Sequence, residues 1–303
     1  MAADVSEIPE QLRPDRDELG LVSDFPELQR RIERAWGLFE SVASDIDLQR
    51  PTRSRGRRAR ELLIPLGAWS DARGIREMIA DAKTGAPATE SESQASQRLR
   101  ASHADASDTE IRDAFRTAAD HVRLWAASEA AAGESRLVGP SPLGPVPIGT
   151  MIHAASFQLA VIARDLRPAG APDLPELDAL GVVALVDSSG AVAARLDATA
   201  SIAAVSPEVA AGTGTAPRRW RTVVTDSEHE QQQLGPAVLG PSGLLVDIAA
   251  GRIDLVELAR RLRVRDGRGL VAMSVVLDGI PDLPAAAMLR RAGGVLRLGG
   301  LRR

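Results

Sequence analysis

The chain has 303 residues, a formal net charge of -4 and a sequence pI near 5.7. It is long enough for two domains. It lacks the excess of basic residues that would attract nucleic acid or an anionic membrane. It contains no cysteine, which excludes disulfides, thiolate metal ligands and cysteine nucleophiles. Its N-terminal segment is acidic and does not resemble a signal peptide, and no apolar run is long enough to span a bilayer. These features predict a soluble, cytoplasmic protein.

The N-terminal half has the apolar spacing of amphipathic helices. After a polar lead-in over residues 1–23, apolar side chains recur every three or four residues over 24–46 and again over 109–132. Ser107 or Asp108 is suited to cap the second of these helices. The pattern therefore predicts two long helices, each with one buried face.

Two further helices are predicted in this half. Residues 60–82 favour a helix, or a broken pair of helices, with Pro65 inside it, and residues 84–97 favour a polar loop. A Pro/Gly-rich segment then precedes a helix over 151–166. Four helices with short connections predict an antiparallel bundle over 24–168.

The C-terminal half has a different period. A Pro/Gly-containing linker is predicted over 169–180, followed by an α+β domain over 181–303. A hairpin around Ser-Ser-Gly should open this domain, and the Gly-rich segments at 212–217 and 267–270 should be turns. Strands are also predicted at the end of 181–206, at 220–226 and at 262–266. Helices are predicted at 242–251 and 255–262, with two more towards the end of the chain.

Two motifs in the helical half resemble a known family. PTRSRGRRARELLIPLGAW, residues 51–69, and QLAVIARDL, residues 158–166, are similar to the two motifs of the mycothiol-dependent maleylpyruvate isomerase N-terminal family, which has a DinB-like fold. The resemblance covers about residues 24 to 168. It implies a four-helix bundle that binds a divalent metal through two histidines and one glutamate.

The resemblance places the three metal ligands at Pro65, Gln158 and Ile162. Proline and isoleucine have no donor atom, and a glutamine amide is a weak, neutral ligand. The neighbouring motif residues Leu66 and Asp165 are kept. We therefore predict a former metal site converted to core, with no metal and no catalytic residue. Truncation of Ile162 to alanine should destabilise the bundle by several kcal/mol, about the loss expected for a buried aliphatic side chain.

Other residues offer weaker candidates for a site. His121 and His153 could supply a relocated metal site, but structural roles are favoured because no carboxylate is spaced to join them. His103 is expected to lie in a polar loop. In the basic run, Arg57 and Arg58 are candidates to contact a thiol or an anion, although a solvated loop is the simpler interpretation.

A third stretch, residues 235–266, resembles the sterol-carrier-protein-like domains that often accompany this bundle. The resemblance implies an apolar cavity for a lipid-like ligand. The alternative is that the apolar residues of this stretch only form a core, namely Leu244, Leu245, Ile248, Val256 and Leu258.

Together these observations favour a family member that has lost its metal and acts as a non-catalytic small-molecule-binding or regulatory protein. Its ligand would be a small apolar molecule or a thiol, and its partner a second copy or a paralogue, with no nucleic acid and no membrane. The alternative is a mycothiol-dependent isomerase or thiol transferase. That enzyme would use a relocated divalent metal such as zinc, or metal-free activation of the thiol by arginine.

Overall fold

A computed structural model describes residues 8–14, 25–85, 90–141, 144–253, 260–261 and 263–265. The protein is mixed helix and sheet, as the α+β prediction requires, and it divides into two compact units. Residues 25–177 form the helical unit. The described residues before 25 and after 177 form the sheet unit.

The helical unit is built from helices joined by short connections. Its regular elements are α1 (Phe25–Asp45), α2 (Ala59–Leu63), α3 (Ile75–Thr84), α4 (Glu92–Ser102), α5 (Asp108–Ala126), α6 (Ala131–Glu134), β1 (Val138–Gly139), β2 (Val146–Pro147) and α7 (Ile148–Asp165). Two 3-10 helices follow α2 and α7, at Ile64–Leu66 and Arg167–Ala169.

Helices α1 and α5 form an aromatic core. The Trp36 ring stacks on Phe115 with centroids 5.8 Å apart, and Phe39 meets the same ring edge-on at 5.3 Å. The buried residues of α1 recur at helical spacing, as the sequence pattern predicts. Ser107 caps α5, because its hydroxyl accepts a hydrogen bond from the Glu110 amide at 3.2 Å. The prediction for this pair of helices is confirmed, although α5 ends at Ala126 rather than at 132.

The predicted polar loop over 84–97 is wrong in its second half, because α4 begins at Glu92. A capping box starts this helix: the Ser91 hydroxyl accepts from the Gln94 amide at 3.2 Å, and the Gln94 side chain accepts from the Ser91 amide at 2.8 Å. Leu99 is the one fully buried residue of α4. A helix with so little apolar surface gives almost no periodic signal.

Among its described residues, the sheet unit contains a five-stranded sheet, three α-helices and a 3-10 helix at Glu10–Leu12. The strands occur in the order β5-β4-β3-β6-β7, with only the β3–β6 pair parallel. Its elements are α8 (Pro175–Arg195), β3 (Ala200–Val205), β4 (Ala210–Ala216), β5 (Arg219–Thr225), α9 (Glu228–Gln233), β6 (Ala237–Leu239), α10 (Ser242–Ala249) and β7 (Arg263–Arg265). The strands predicted at the end of 181–206 and at 220–226 and 262–266, and the helix predicted over 242–251, are confirmed.

The hairpin predicted around Ser-Ser-Gly is wrong, because these residues lie inside α8. The hydroxyls of Ser188 and Ser189 each donate to the carbonyl four residues earlier at 2.7 Å, which satisfies them within the helix. A Cβ at Gly190 would lie 2.3 Å from the Thr213 hydroxyl and 2.9 Å from the Trp220 ring. This glycine therefore permits close packing of the helix on the sheet and does not mark a turn. The helix also begins inside the segment predicted as a linker.

The turn predicted at 212–217 is wrong as well, because most of it is strand β4. A Cβ at Gly214 would lie 2.3 Å from the Leu12 carbonyl oxygen, so the absence of a side chain admits the N-terminal segment. Ile8 and Leu12, both buried, belong to the same apolar cluster as Leu234. Part of the predicted polar lead-in is thus core of the sheet unit.

Helix α8 is the one described helix that is long and apolar enough to cross a membrane. In the most apolar window of this helix, 78% is buried inside the protein. That burial is typical of the core helix of a soluble protein. The glycine-rich segment at 267–270, most of the predicted helix over 255–262 and the two helices predicted after it lie outside the described residues.

Candidate ligand site of the helical unit

The first family-like motif begins with a tightly constrained loop over residues 51–58. Pro51 and Arg58 form an antiparallel bridge, and the Thr52 amide donates to the Arg57 carbonyl at 3.0 Å. Gly56 closes the turn with a φ of 73°, a conformation that favours glycine. The loop therefore presents its arginines from a defined backbone.

Asp165 on α7 anchors this loop. Its carboxylate accepts a hydrogen bond from the Ser54 hydroxyl at 2.8 Å, and its backbone carbonyl accepts from the Arg53 amide at 2.9 Å. Only 2% of Asp165 is exposed. Because a buried carboxylate is costly unless it is hydrogen-bonded, this residue and the loop stabilise each other. The contact explains physically why an aspartate stands at the end of the second motif.

The remaining anchors of the first motif pack around the 3-10 helix that contains Pro65. The Trp69 indole donates to the Ile64 carbonyl at 2.7 Å. A Cβ at Gly67 would lie 2.6 Å from the Trp69 indole nitrogen and 2.9 Å from the Ala114 Cβ. The Leu-Gly-x-Trp segment is thus a packing motif in this chain, and Pro65 itself is half-buried.

Gln158 and Ile162 lie one turn apart on α7, and both are half-buried. The prediction that they point into the core is therefore too strong. The Gln158 amide nitrogen donates to the carboxylate of Glu92, the first residue of α4. Part of Glu92 is exposed, but the atoms around its carboxyl exclude enough water to raise its pKa above the usual range for glutamate. This pairing could not be predicted from the sequence, because Glu92 falls in the predicted loop.

The residues at the three predicted ligand positions do not fit a divalent metal. Pro65 and Ile162 offer no donor atom, and the Gln158 amide is engaged by Glu92. Across the described parts of the chain, no group of three or more histidine, aspartate or glutamate side chains is placed to hold an ion.

The histidines proposed for a relocated site have different environments. His121 on α5 is exposed, whereas His153 on α7 is fully buried. His229, which was not a candidate, lies in the sheet unit and is exposed. Its Nε2 is 2.8 Å from the side-chain amide nitrogen of Gln233.

His103 occupies a position that the sequence did not single out. It follows α4 directly, its ring stacks on Trp69 with centroids 3.9 Å apart, and its Nε2 lies 2.8 Å from an Asp71 carboxylate oxygen. Arg98 also binds Asp71, at 3.0 Å, and joins it to Glu90. The hydrogen bond with His103, more than the charge of Arg98, lowers the pKa of Asp71. This cluster fastens the C-terminal end of α4 beside the Leu-Gly-x-Trp segment.

The two arginines predicted to contact an anion differ in their bonds. The Arg58 side chain donates to Gln49 at 3.2 Å, and its backbone amide donates to Glu61 at 2.7 Å. The Arg57 side chain is exposed and forms no hydrogen bond or ion pair with the described residues. Of the two, Arg57 is the one whose guanidinium donors remain available.

Two solved structures are similar to this chain. Two crystal structures of a mycothiol-dependent maleylpyruvate isomerase, one of them a histidine-to-alanine variant, match with a TM-score of 0.50 and 14% sequence identity. The match covers 81% of this chain and 94% of the isomerase chain. This chain therefore shares the isomerase fold. No protein-family model matches the sequence, and no curated protein matches it.

Proposed function

We propose that this chain is a maleylpyruvate-isomerase-like protein whose helical unit works without a divalent metal, as a small-molecule-binding or regulatory protein. The observation that carries the proposal is the chemistry at the three ligand positions. Two of them hold no donor atom, and the amide at the third is paired with Glu92. The constrained loop and its anchor Asp165 also support the proposal. Their hydrogen bonds are formed although the side chains at the three ligand positions lack the donor atoms for a metal.

Zinc binding tests this proposal directly. The purified chain should contain no stoichiometric zinc after gentle dialysis, and calorimetric titration with zinc should show no saturable binding. The comparison protein is the triple variant Pro65→His, Gln158→Glu, Ile162→His, which restores the ligand set that the resemblance implies. Tight 1:1 zinc binding by the unaltered chain would refute the proposal.

The alternative is a mycothiol-dependent isomerase or thiol transferase. It is favoured by the structural match to 94% of the chain of a mycothiol-dependent maleylpyruvate isomerase. Such an enzyme would need metal-free activation of the thiol, with Arg57 as the candidate contact, or a relocated metal at His121 or His153. A turnover assay with mycothiol and maleylpyruvate distinguishes the two functions. We expect no turnover above a protein-free control.

Two further features of the proposal concern its partners. A sterol-carrier-protein-like role for the sheet unit would be supported by saturable binding of a fluorescent fatty acid. A regulatory role would be supported by a homodimer, or by a complex with a paralogous isomerase, in size-exclusion chromatography with mass detection. Cytoplasmic localisation stays a prediction from the sequence.

A further inference from the structure

Helix α4 lies against two of the elements that carry the predicted metal-ligand positions. It packs on the 3-10 helix Ile64–Leu66, which contains Pro65. Its first residue, Glu92, accepts a hydrogen bond from the side-chain amide of Gln158 on α7. The N-terminal end of α4 therefore covers part of the Gln158 side chain, which is half-buried.

The first half of α4, residues 92–97, is weakly attached to the helical unit. None of its residues is buried, and four of the six are exposed. Within the described part of the chain, the bond from Gln158 is the one hydrogen bond or ion pair that links a side chain of this half to another element. Glu92 loses water in this position, which raises the pKa of its carboxyl group. Ionisation of Glu92 therefore weakens the attachment.

The second half of α4 is held more firmly. Leu99 is buried, and Arg98 binds Asp71 at 3.0 Å. Just past the helix, His103 stacks on Trp69 and its Nε2 lies 2.8 Å from the same aspartate. With this distribution of contacts α4 opens first at its N-terminal end, because local opening is easiest where few apolar contacts are lost.

We propose that the first half of α4 is a gate that controls the access of a small molecule to the Gln158 face of α7. The gate opens by unwinding from its N-terminal end, while the end beside Asp71 stays in place. Opening separates Glu92 from Gln158, so that the amide becomes available to a polar ligand. The inference rests on the proposed function only in taking this face as the place where a small molecule binds.

The capping box at Ser91 sets how readily the gate opens. Its two hydrogen bonds with Gln94 hold the first turn of α4. Helix α5 begins with the same kind of box, at Ser107 and Glu110, but its buried face belongs to the core. The two caps therefore form a matched pair, one on the gate and one on a core helix.

Amide hydrogen exchange, followed by NMR on the full chain, measures the opening. We expect protection factors to rise along α4, from Ala95 and Ser96 to Ser102, and to stay below those of the buried turns of α5. Ser91→Ala should lower the protection of Ala95 and Ser96 by about threefold or more, because a lost serine cap weakens a helix. Uniform protection along α4 at the level of α5 would overturn the proposal.

A cysteine reporter tests whether the opening uncovers position 158. The chain has no cysteine, so Gln158→Cys supplies a single thiol, whose rate of reaction with 5,5′-dithiobis(2-nitrobenzoate) measures its exposure. Added to this variant, Ser91→Ala should raise the labelling rate by about threefold or more. Ser107→Ala is the matched control and should change the rate by less than about 1.5-fold, because α5 does not open with the gate.

A second reporter controls for the chemistry of the thiol. Leu124 on α5 is 71% exposed, so the labelling rate of Leu124→Cys should not respond to Ser91→Ala. Equal acceleration of Gln158→Cys labelling by the two cap substitutions would overturn the proposal, as would no acceleration by Ser91→Ala. Circular dichroism checks that the variants are folded, and the exchange experiment needs no cysteine. Neither readout uses a metal or a ligand, so failure of the gate and failure of the metal-free function give different results.

Discussion

The constrained loop over 51–58 and the three predicted ligand positions belong to one helical unit, but they have opposite characters. The loop is held by backbone hydrogen bonds and by hydrogen bonds to the buried Asp165. Pro65, Gln158 and Ile162 are half-buried and carry no donor set for a metal. The comparison shows that the hydrogen bonds of the loop do not depend on the side chains at these three positions, because the loop is held by its own backbone and by Asp165.

The largest expected effect separates a core residue of α7 from one of the three predicted ligand positions on the same helix. Leu159→Ala should lower the free energy of unfolding by about 2–5 kcal/mol, because Leu159 is fully buried. Ile162→Ala, three residues later, should cost only about 1–2 kcal/mol, since Ile162 is half-buried rather than buried as the sequence suggests. Urea denaturation measures both, and an equal loss for the two variants would contradict this reading of α7.

The anchor of the loop should rank next. Asp165→Ala removes a buried charged acceptor from the Ser54 hydroxyl, so the free energy of unfolding should fall by about 1.5–3 kcal/mol. Asp173→Ala is the matched control, because Asp173 is exposed and its one ion pair with the described residues is the surface pair with Arg167. Chemical denaturation should show almost no change for the control. A small effect at Asp165 would mean that the loop does not depend on this anchor.

The Asp71 cluster should contribute stability that disappears in acid. Its folded pKa is lowered, so the contribution is present above the unfolded aspartate value of about 3.9 and is lost as the pH falls through the folded pKa. Asp71→Asn should therefore lower the melting temperature at pH 6, and the gap to the unaltered chain should close below about pH 4. Asp105→Asn, at an exposed aspartate, is the matched control and should leave the melting temperature at pH 6 almost unchanged.

The smallest effects come from two neighbouring glutamates with opposite shifts. Desolvation raises the pKa of Glu92, so its ionisation opposes folding as the pH rises above the unfolded value of about 4.3. Glu92→Gln should raise the melting temperature at pH 8, with the gap closing towards pH 4. The hydrogen bond from Arg98 lowers the pKa of Glu90, so Glu90→Gln should lower the melting temperature at pH 8. Shifts of the same sign would refute this pair of assignments.

The sequence predicted elements where one face is strongly apolar. Helices α1, α5 and α7 and strand β5 lie close to their expected positions because period and burial agree. Helix α8 was misassigned because its continuous alanine and valine run has no period, and buried Ser188 and Gly190 resemble turn residues. Helix α4 was missed because its surface is polar, and its capping box at Ser91 was the available signal.

The candidate site was predictable only in part. The motif residues located Asp165 and the three ligand positions, but tertiary contacts alone bring Glu92 to Gln158 and His103 to Asp71. Both partners lie on or next to α4, so one missed helix hid both contacts.

The most direct test of the central claim is zinc affinity, measured by calorimetry on the unaltered chain and on the triple variant Pro65→His, Gln158→Glu, Ile162→His. We expect no saturable binding by the unaltered chain and tight 1:1 binding by the variant, because the constrained loop and its anchor are formed whereas the ligand side chains are missing. Stoichiometric zinc in the unaltered chain that survives dialysis would contradict it.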